Sequence, residues 1–168
     1  MATYKTCAIS IKTAPFAEAD KLVTLFTERY GKVKAIAKGA RRIPSRLGGR
    51  VETFTFADYF IVSGRSLDII TEAEVKETFQ FIREKENLLA AAIYMIKLVD
   101  SGTVLGQPNP ELFDLLLHSL ARFKKTTDAR GVARDFASDF VVLEGIDDEG
   151  LDPIEALSNH TGKDLRSW

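Results

Sequence analysis

Apolar and polar side chains alternate loosely from Thr6 to Lys12, with Cys7, Ile9 and Ile11 on one side. A period of two predicts a strand, because successive side chains of an extended chain point to opposite faces. Ala14–Lys21 (APFAEADK) is polar and turn-like. LVTLFTERYGKVKAIAKG reads as two short strands, parted near Tyr30–Gly31, where glycine permits a tight turn. Thr53–Val62 (TFTFADYFIV) is aromatic and β-branched, a composition suited to a half-buried pleated surface. SGRS turns the chain. LDIITEAEV then alternates again, with Leu67, Ile69 and Ala73 opposite Asp68, Glu72 and Glu74. About five strands in so short a stretch predict a small closed barrel.

From about Glu77 the period becomes helical. FIREKENLLAAAIYMIKLVD is charged at its start and then apolar on most sides, the pattern of a helix at the centre of a bundle. Asn109-Pro110-Glu111 is a helix start, with a capping side chain, proline at the first position and an acid near the positive end of the dipole. That helix is expected to run to Lys124-Lys125. A third carries Val132, Phe136, Phe140 and Leu143 at helical spacing, with Gly145 placed to close it. Asp152-Pro153, followed by Glu155, opens a fourth and short helix. The expected class is α+β in two units, a five-stranded barrel over residues 1–80 and a small all-α domain over residues 81–168.

The chain has 168 residues, 45% hydrophobic and 28% charged, which fits a globular protein in water. No apolar run approaches the roughly 20 residues of a membrane helix, so no membrane role is expected. Met1–Lys12 lacks the pattern of a secretory signal, and the expected compartment is the cytoplasm. A single cysteine, Cys7, excludes an internal disulfide and a cysteine-rich zinc site.

Charge changes the picture. Lysine and arginine number 23 and aspartate and glutamate 24, a formal net charge of −1. Yet residues 32–50 hold seven cations, Lys32, Lys34, Lys38, Arg41, Arg42, Arg46 and Arg50, and no acid; without them the balance is −8. A polyanion meets the local field, not the net charge. Strand alternation sets Lys32, Lys34 and Lys38 on one face, opposite Val33, Ala35 and Ala37, which suit the barrel interior. The arginines ride a loop, GARRIPSRLGGR, whose glycines and proline bar regular structure. A solvated charge run is the bland reading. The absence of interleaved acids, and the nearby Phe54, Phe56, Tyr59 and Phe60, favour a surface for single-stranded nucleic acid. Most of those phenylalanines are expected to fill the core, with Phe54, Phe56 and Phe60 on one face.

Nothing in the sequence suggests an enzyme, a cofactor or a metal. The phosphate loop Gly-x-x-x-x-Gly-Lys-[Ser/Thr] is missing. His118 and His160 lie far apart, and Asp147-Asp148-Glu149 lacks the alternation of a calcium loop. Cys7 is expected to be inert core, and Ser10, Ser45 and Ser63 have no visible base partner.

One resemblance goes further. Glu18-Ala19-Asp20, Leu25-Phe26-Thr27, Gly31-Lys32-Val33, Ala37-Lys38-Gly39-Ala40-Arg41-Arg42, Glu52 with Phe54, and Ala73-Glu74 occur in an order that resembles the N-terminal domain of the RecO family of bacterial recombination mediators. ARDFASDFVVLEGI and HTGKDLRSW, around Gly162, Leu165 and Arg166-Ser167, resemble its helical half more weakly. The resemblance implies an OB-fold followed by a helical domain. It implies binding of single- and double-stranded DNA, strand annealing, partnership with RecR, and loading of RecA onto DNA coated by single-stranded-DNA-binding protein, in the nucleoid. It places the acidic tail of that coating protein on the helical domain, at Arg134 and Phe136. Many members are longer and carry a four-cysteine zinc module; a chain with one cysteine fits either a compact member lacking it or a shortened chain. The residues themselves leave two other readings open. One is a protein-interaction adaptor whose basic loop binds an acidic partner, with little DNA binding. The other, weaker, is RNA binding on the same surface.

Overall fold

The computed structural model describes residues 2–145. The fourth helix expected at Asp152, the Asp147-Asp148-Glu149 stretch, His160 and the segment around Gly162 and Leu165 lie outside the described residues. Two units are distinguished, one of residues 2–79 with Val104–Pro110, the other of Gln80–Thr103 with residues 111–145.

The first unit holds five strands, β1 (Thr3–Phe16), β2 (Asp20–Thr27), β3 (Gly31–Ala37), β4 (Phe56–Val62) and β5 (Asp68–Glu77). They close in the order β1-β2-β3-β5-β4, with β4 returning to β1, as an OB-fold barrel. Closure depends on β1. Its Thr3–Ile9 stretch pairs with β4 and its Ala8–Phe16 stretch with β2, and the register shifts between Ser10 and Lys12. The extra residue bends the strand, so that one strand serves two neighbours. β3 meets β5 through three parallel pairs only, Ala35 with Asp68, Ile36 with Ile69 and Ala37 with Ile70.

The interior mixes small and large side chains. Ala8, Ala35, Ala37, Ala57 and Ala73 leave room for Val23, Leu25, Ile61, Ile70 and the wholly buried Tyr59 ring. Ala40, Leu47 and Val51, from the loop between β3 and β4, join the same cluster.

Three details differ from the expected strands. β4 begins at Phe56, and Phe54 lies outside it, buried at a positive φ of 79°. Ala57, Tyr59 and Ile61 are the buried side of β4, so Phe56 and Phe60 stand half-buried on the outer face instead of filling the core. In β5 the register against β4 shifts between Phe60 and Ile61, so Ile70 and Ala73 both turn inward, three residues apart.

The second unit contains α1 (Gln80–Glu84), α2 (Glu86–Gly102), α3 (Pro110–Arg122, which begins one residue inside the first unit) and α4 (Ala129–Leu143). The single helix expected from Phe81 breaks at Lys85, whose backbone is extended and precedes α2. Eight residues of α2 are buried, Leu88 through Val99, which fits its nearly all-round apolar character. α3 ends at Arg122, short of Lys124-Lys125, because its last turn tightens: Phe123, Lys124 and Lys125 each donate to a carbonyl three residues back. α4 is capped by Asp128, whose carboxylate accepts from the Gly131 amide at 3.0 Å. It buries Val132, Phe136 and Phe140 against α2, and a Cβ at Gly102 would lie 2.5 Å from the Phe140 ring.

Candidate nucleic-acid interface

The seven cations come from β3 and the loop of residues 38–55 that follows it. Lys34 and Lys38 are exposed, as alternation requires. Lys32 is not; it is 8% exposed. Leu105 bridges it in parallel, and the Gly106 amide donates to the Lys32 carbonyl at 2.9 Å. The segment Val104–Pro110 therefore runs beside the start of β3, and the expected row of three outward lysines becomes two.

The loop is tied down at both shoulders. The Gly39 amide donates to Asp20 Oδ1 at 2.8 Å, and the Arg41 amide to the Ala19 carbonyl at 2.9 Å. Ser45 Oγ accepts from the Gly48 amide at 3.0 Å and the Leu47 amide at 3.2 Å, which seats Leu47 in the barrel cluster. Downstream, Ser10 acts as a clamp. Its hydroxyl donates to the Val51 carbonyl at 2.9 Å, its carbonyl accepts from the Phe54 amide at 2.8 Å, and its amide donates to the Thr55 carbonyl at 3.0 Å. This buried serine is a backbone fastener.

The arginines divide accordingly. The Arg50 guanidinium donates to the Ala73 carbonyl at 3.0 Å, and that of Arg41 reaches the Ala17 and Glu18 carbonyls at 3.4 Å each. Arg42 and Arg46 are exposed between the shoulders. The acid within the loop, Glu52, is held by Lys21 at 2.9 Å. Among the described residues no carboxylate pairs with Lys34, Lys38, Arg42 or Arg46. Like charges gathered without counter-charges repel one another, and a polyanion relieves that repulsion while releasing its own counterions.

Register adds a cation that no charge run signals. Lys12 of β1 pairs with Thr24 of β2, which pairs with Lys34 of β3. Lys12 is exposed, and two strand spacings set it about 10 Å from Lys34 along one row. Isolated between Ile11 and Thr13 in sequence, it joins the group only through barrel pairing.

The aromatic residues do not join this cluster. Phe56 and Phe60 lie on the outer face of β4, two strands from β3, under lysines of their own: Lys76 is 5.3 Å from the Phe56 centroid and Lys5 is 5.2 Å from that of Phe60. Asp58 lies between them, 3.3 Å from Lys76 and 3.8 Å from Lys5. Tyr59 is buried, and its hydroxyl donates to the Arg50 carbonyl at 2.8 Å.

Other candidates resolve into structural roles. Cys7 is half-buried beside a carboxylate, not in an apolar core; Ala8 takes the inward position. Burial, followed by the 2.7 Å bond from its thiol to Glu28, pushes Cys7 up to about 11. His118 Nδ1 donates to the Asp114 carbonyl at 2.7 Å, one turn back on α3. Among the described residues no group of three or more His, Cys, Asp or Glu side chains could hold a metal ion, and no helix is long and apolar enough to cross a membrane. Arg134 is exposed on α4, while Phe136 is 1% exposed, its ring centroid 6.0 Å from that of Phe140. Two residues apart on a helix, they do not share a face, so the Phe136 ring is not available to a partner at the surface.

The family model described as recombination protein O N terminal matches residues 1–79, and the one described as recombination protein O C terminal matches residues 83–146. A protein named DNA repair protein RecO from Desulfitobacterium hafniense is 38% identical over 120 residues, 71% of this chain and 44% of the relative. The protein of that name from Pelotomaculum thermopropionicum is 37% identical over 145 residues, 86% of this chain and 56% of its own length. The one from Bacillus pumilus is 38% identical over 125 residues, 74% and 49% of the two chains. The chain spans about half the length of the curated relatives it matches. Barrel order, a pinned basic loop and these matches agree: the chain belongs to the RecO family.

Proposed function

We propose that the chain is a non-enzymatic DNA-binding mediator of recombinational repair. It holds the backbone of single- and double-stranded DNA on Lys34, Lys38, Arg42 and Arg46, with Lys12 beside them and Arg41 and Arg50 at the shoulders. Lys32, 8% exposed beside Leu105, is not among them. Affinity of this kind is independent of sequence, because phosphates carry no base information. The observation that carries the reading is the exposure of Lys34, Lys38, Arg42 and Arg46, on β3 and the pinned loop after it, with no described carboxylate paired to them. Holding two strands at one basic face lowers their mutual repulsion, which favours annealing. The family extends the role to work with RecR, loading RecA onto DNA coated by single-stranded-DNA-binding protein, in the nucleoid of the cytoplasm. In the helical unit Arg134 is the exposed cation for that protein's acidic tail, since a guanidinium suits a terminal carboxylate.

A fluorescent-oligonucleotide titration across salt tests the reading. Four neutralised phosphates on a single strand give a slope of about −3 for log K against log[salt]. Arg42→Ala with Arg46→Ala should roughly halve that slope. Salt-independent affinity, or a slope unchanged in the double variant, overturns the phosphate role. Binding of an acidic tail peptide without DNA binding favours the adaptor.

A further inference from the structure

The apolar residues of the basic loop have two fates. Ala40, Leu47, Val51 and Phe54 are 5%, 6%, 0% and 1% exposed, whereas Ile43 is 99% exposed. The loop therefore had a core within reach and left one large apolar side chain outside it. Ile43 stands between Arg42 and Arg46, and its neighbours on both sides are fastened, through the Arg41 amide upstream and the Ser45 hydroxyl downstream. Isoleucine is stiff at its first torsion, so a pinned backbone aims it with little freedom to lose on binding. A fastened basic loop thus presents one rigid apolar point at its centre of charge.

Two polyanions carry apolar surface close behind their charges, nucleic acid and an anionic membrane. A membrane needs far more apolar surface than one side chain supplies, since even a full acyl chain binds only marginally. One base step needs only one wedge. Proteins that deform DNA place a single isoleucine, leucine or phenylalanine between bases while neighbouring cations hold the phosphates. We infer that Ile43 is an unstacking wedge, inserted between adjacent bases while Arg42 and Arg46 grip the flanking phosphates. This rests on the DNA-binding reading above and deepens it. The wedge gives the protein a preference for steps whose stacking is already weak, at a mismatch or a junction between single and double strand, over a fully paired duplex.

The test compares the wild-type chain, Ile43→Ala and Arg42→Ala with Arg46→Ala. The probe is a duplex carrying 2-aminopurine beside a mismatch, with a matched duplex as control. Wild type should raise the 2-aminopurine fluorescence. Ile43→Ala should lose that rise and roughly tenfold in affinity for the mismatched duplex, the scale of most of one isoleucine's burial. Its salt slope and thermal melt should not change, since the side chain touches nothing that holds the fold. If Ile43→Ala matches wild type in both signals while the arginine variant binds poorly, the wedge is wrong and the DNA-binding reading stands. If wild type binds neither duplex, both fail. If Ile43→Ala instead releases the chain from phosphatidylglycerol vesicles with DNA binding intact, Ile43 is a membrane contact and the wedge is overturned.

Discussion

The Tyr59 hydroxyl, on a ring wholly inside the barrel, donates at 2.8 Å to the carbonyl of Arg50 at the far end of the basic loop. One bond thus ties the core to the segment that presents the cations. Tyr59→Phe keeps the ring volume and removes the donor. The expected loss is about 1–2 kcal/mol, read as a lower urea midpoint. On the proposed function, DNA affinity should fall modestly at an unchanged salt slope, because the exposed cations remain while their anchor loosens.

Alkaline pH should act on the same core. Burial raises Tyr59 above the ordinary phenol range; burial, then its hydrogen bond to Asp68, does the same for Tyr4. Cys7 is pushed up to about 11 from an ordinary 9.0. All three keep their protons in the fold at a pH where the unfolded chain loses them. Their contribution is therefore fully present below about pH 9 and declines as pH rises through the folded values. Urea midpoints should fall steadily from pH 9 to 11, and Tyr59→Phe should flatten the fall. A flat profile in the parent chain contradicts the burial of these groups. Alkylation of Cys7 should also require a higher pH than a free thiol, with Glu28→Gln lowering it.

Lys32 and Lys34 stand two residues apart on β3 and should behave oppositely. Lys32→Ala removes a largely buried aliphatic stem, at a cost of about 1–2 kcal/mol, and leaves the salt slope alone. Lys34→Ala should leave stability within about 0.5 kcal/mol and reduce the slope by about 0.7 on a single strand. Urea unfolding beside a salt titration separates them. Equal slope changes in both variants would show that Lys32 reaches DNA after all.

These contrasts mark what the sequence could convey. Alternation located all five strands and the inward faces of Ala35 and Ala37, because a period of two is local information. The charge run located Arg42 and Arg46 for the same reason. Bulky rings drew the expected core face of β4 to Phe56 and Phe60, when Ala57, Tyr59 and Ile61 face inward. Lys32 misled because the residues beside it, Leu105 and Gly106, lie some seventy positions downstream. Lys12 was invisible because it joins Lys34 only through register across β2. Phe54 left the strand because Ser10 holds its backbone from another strand. In α4 helical spacing located the buried Phe136, and two residues along the same helix Arg134 falls on an exposed face. Pairing partners and covering segments are tertiary facts, and no local pattern encodes them.

Gly31 tests the segment that covers Lys32. Its φ is +69°, and a Cβ there would lie 2.2 Å from the backbone oxygen of Gln107. Gly31→Ala therefore incurs both left-handed strain and a clash with backbone that cannot rotate away, a cost of about 2 kcal/mol or more. The cheapest relief is for Val104–Pro110 to lift off β3, which exposes Lys32. Reductive methylation followed by mass spectrometry should find Lys32 protected in the parent chain and modified in the variant, with Lys34 modified in both. A variant of unchanged stability with Lys32 still protected would mean that the segment does not rest against Gly31 in solution.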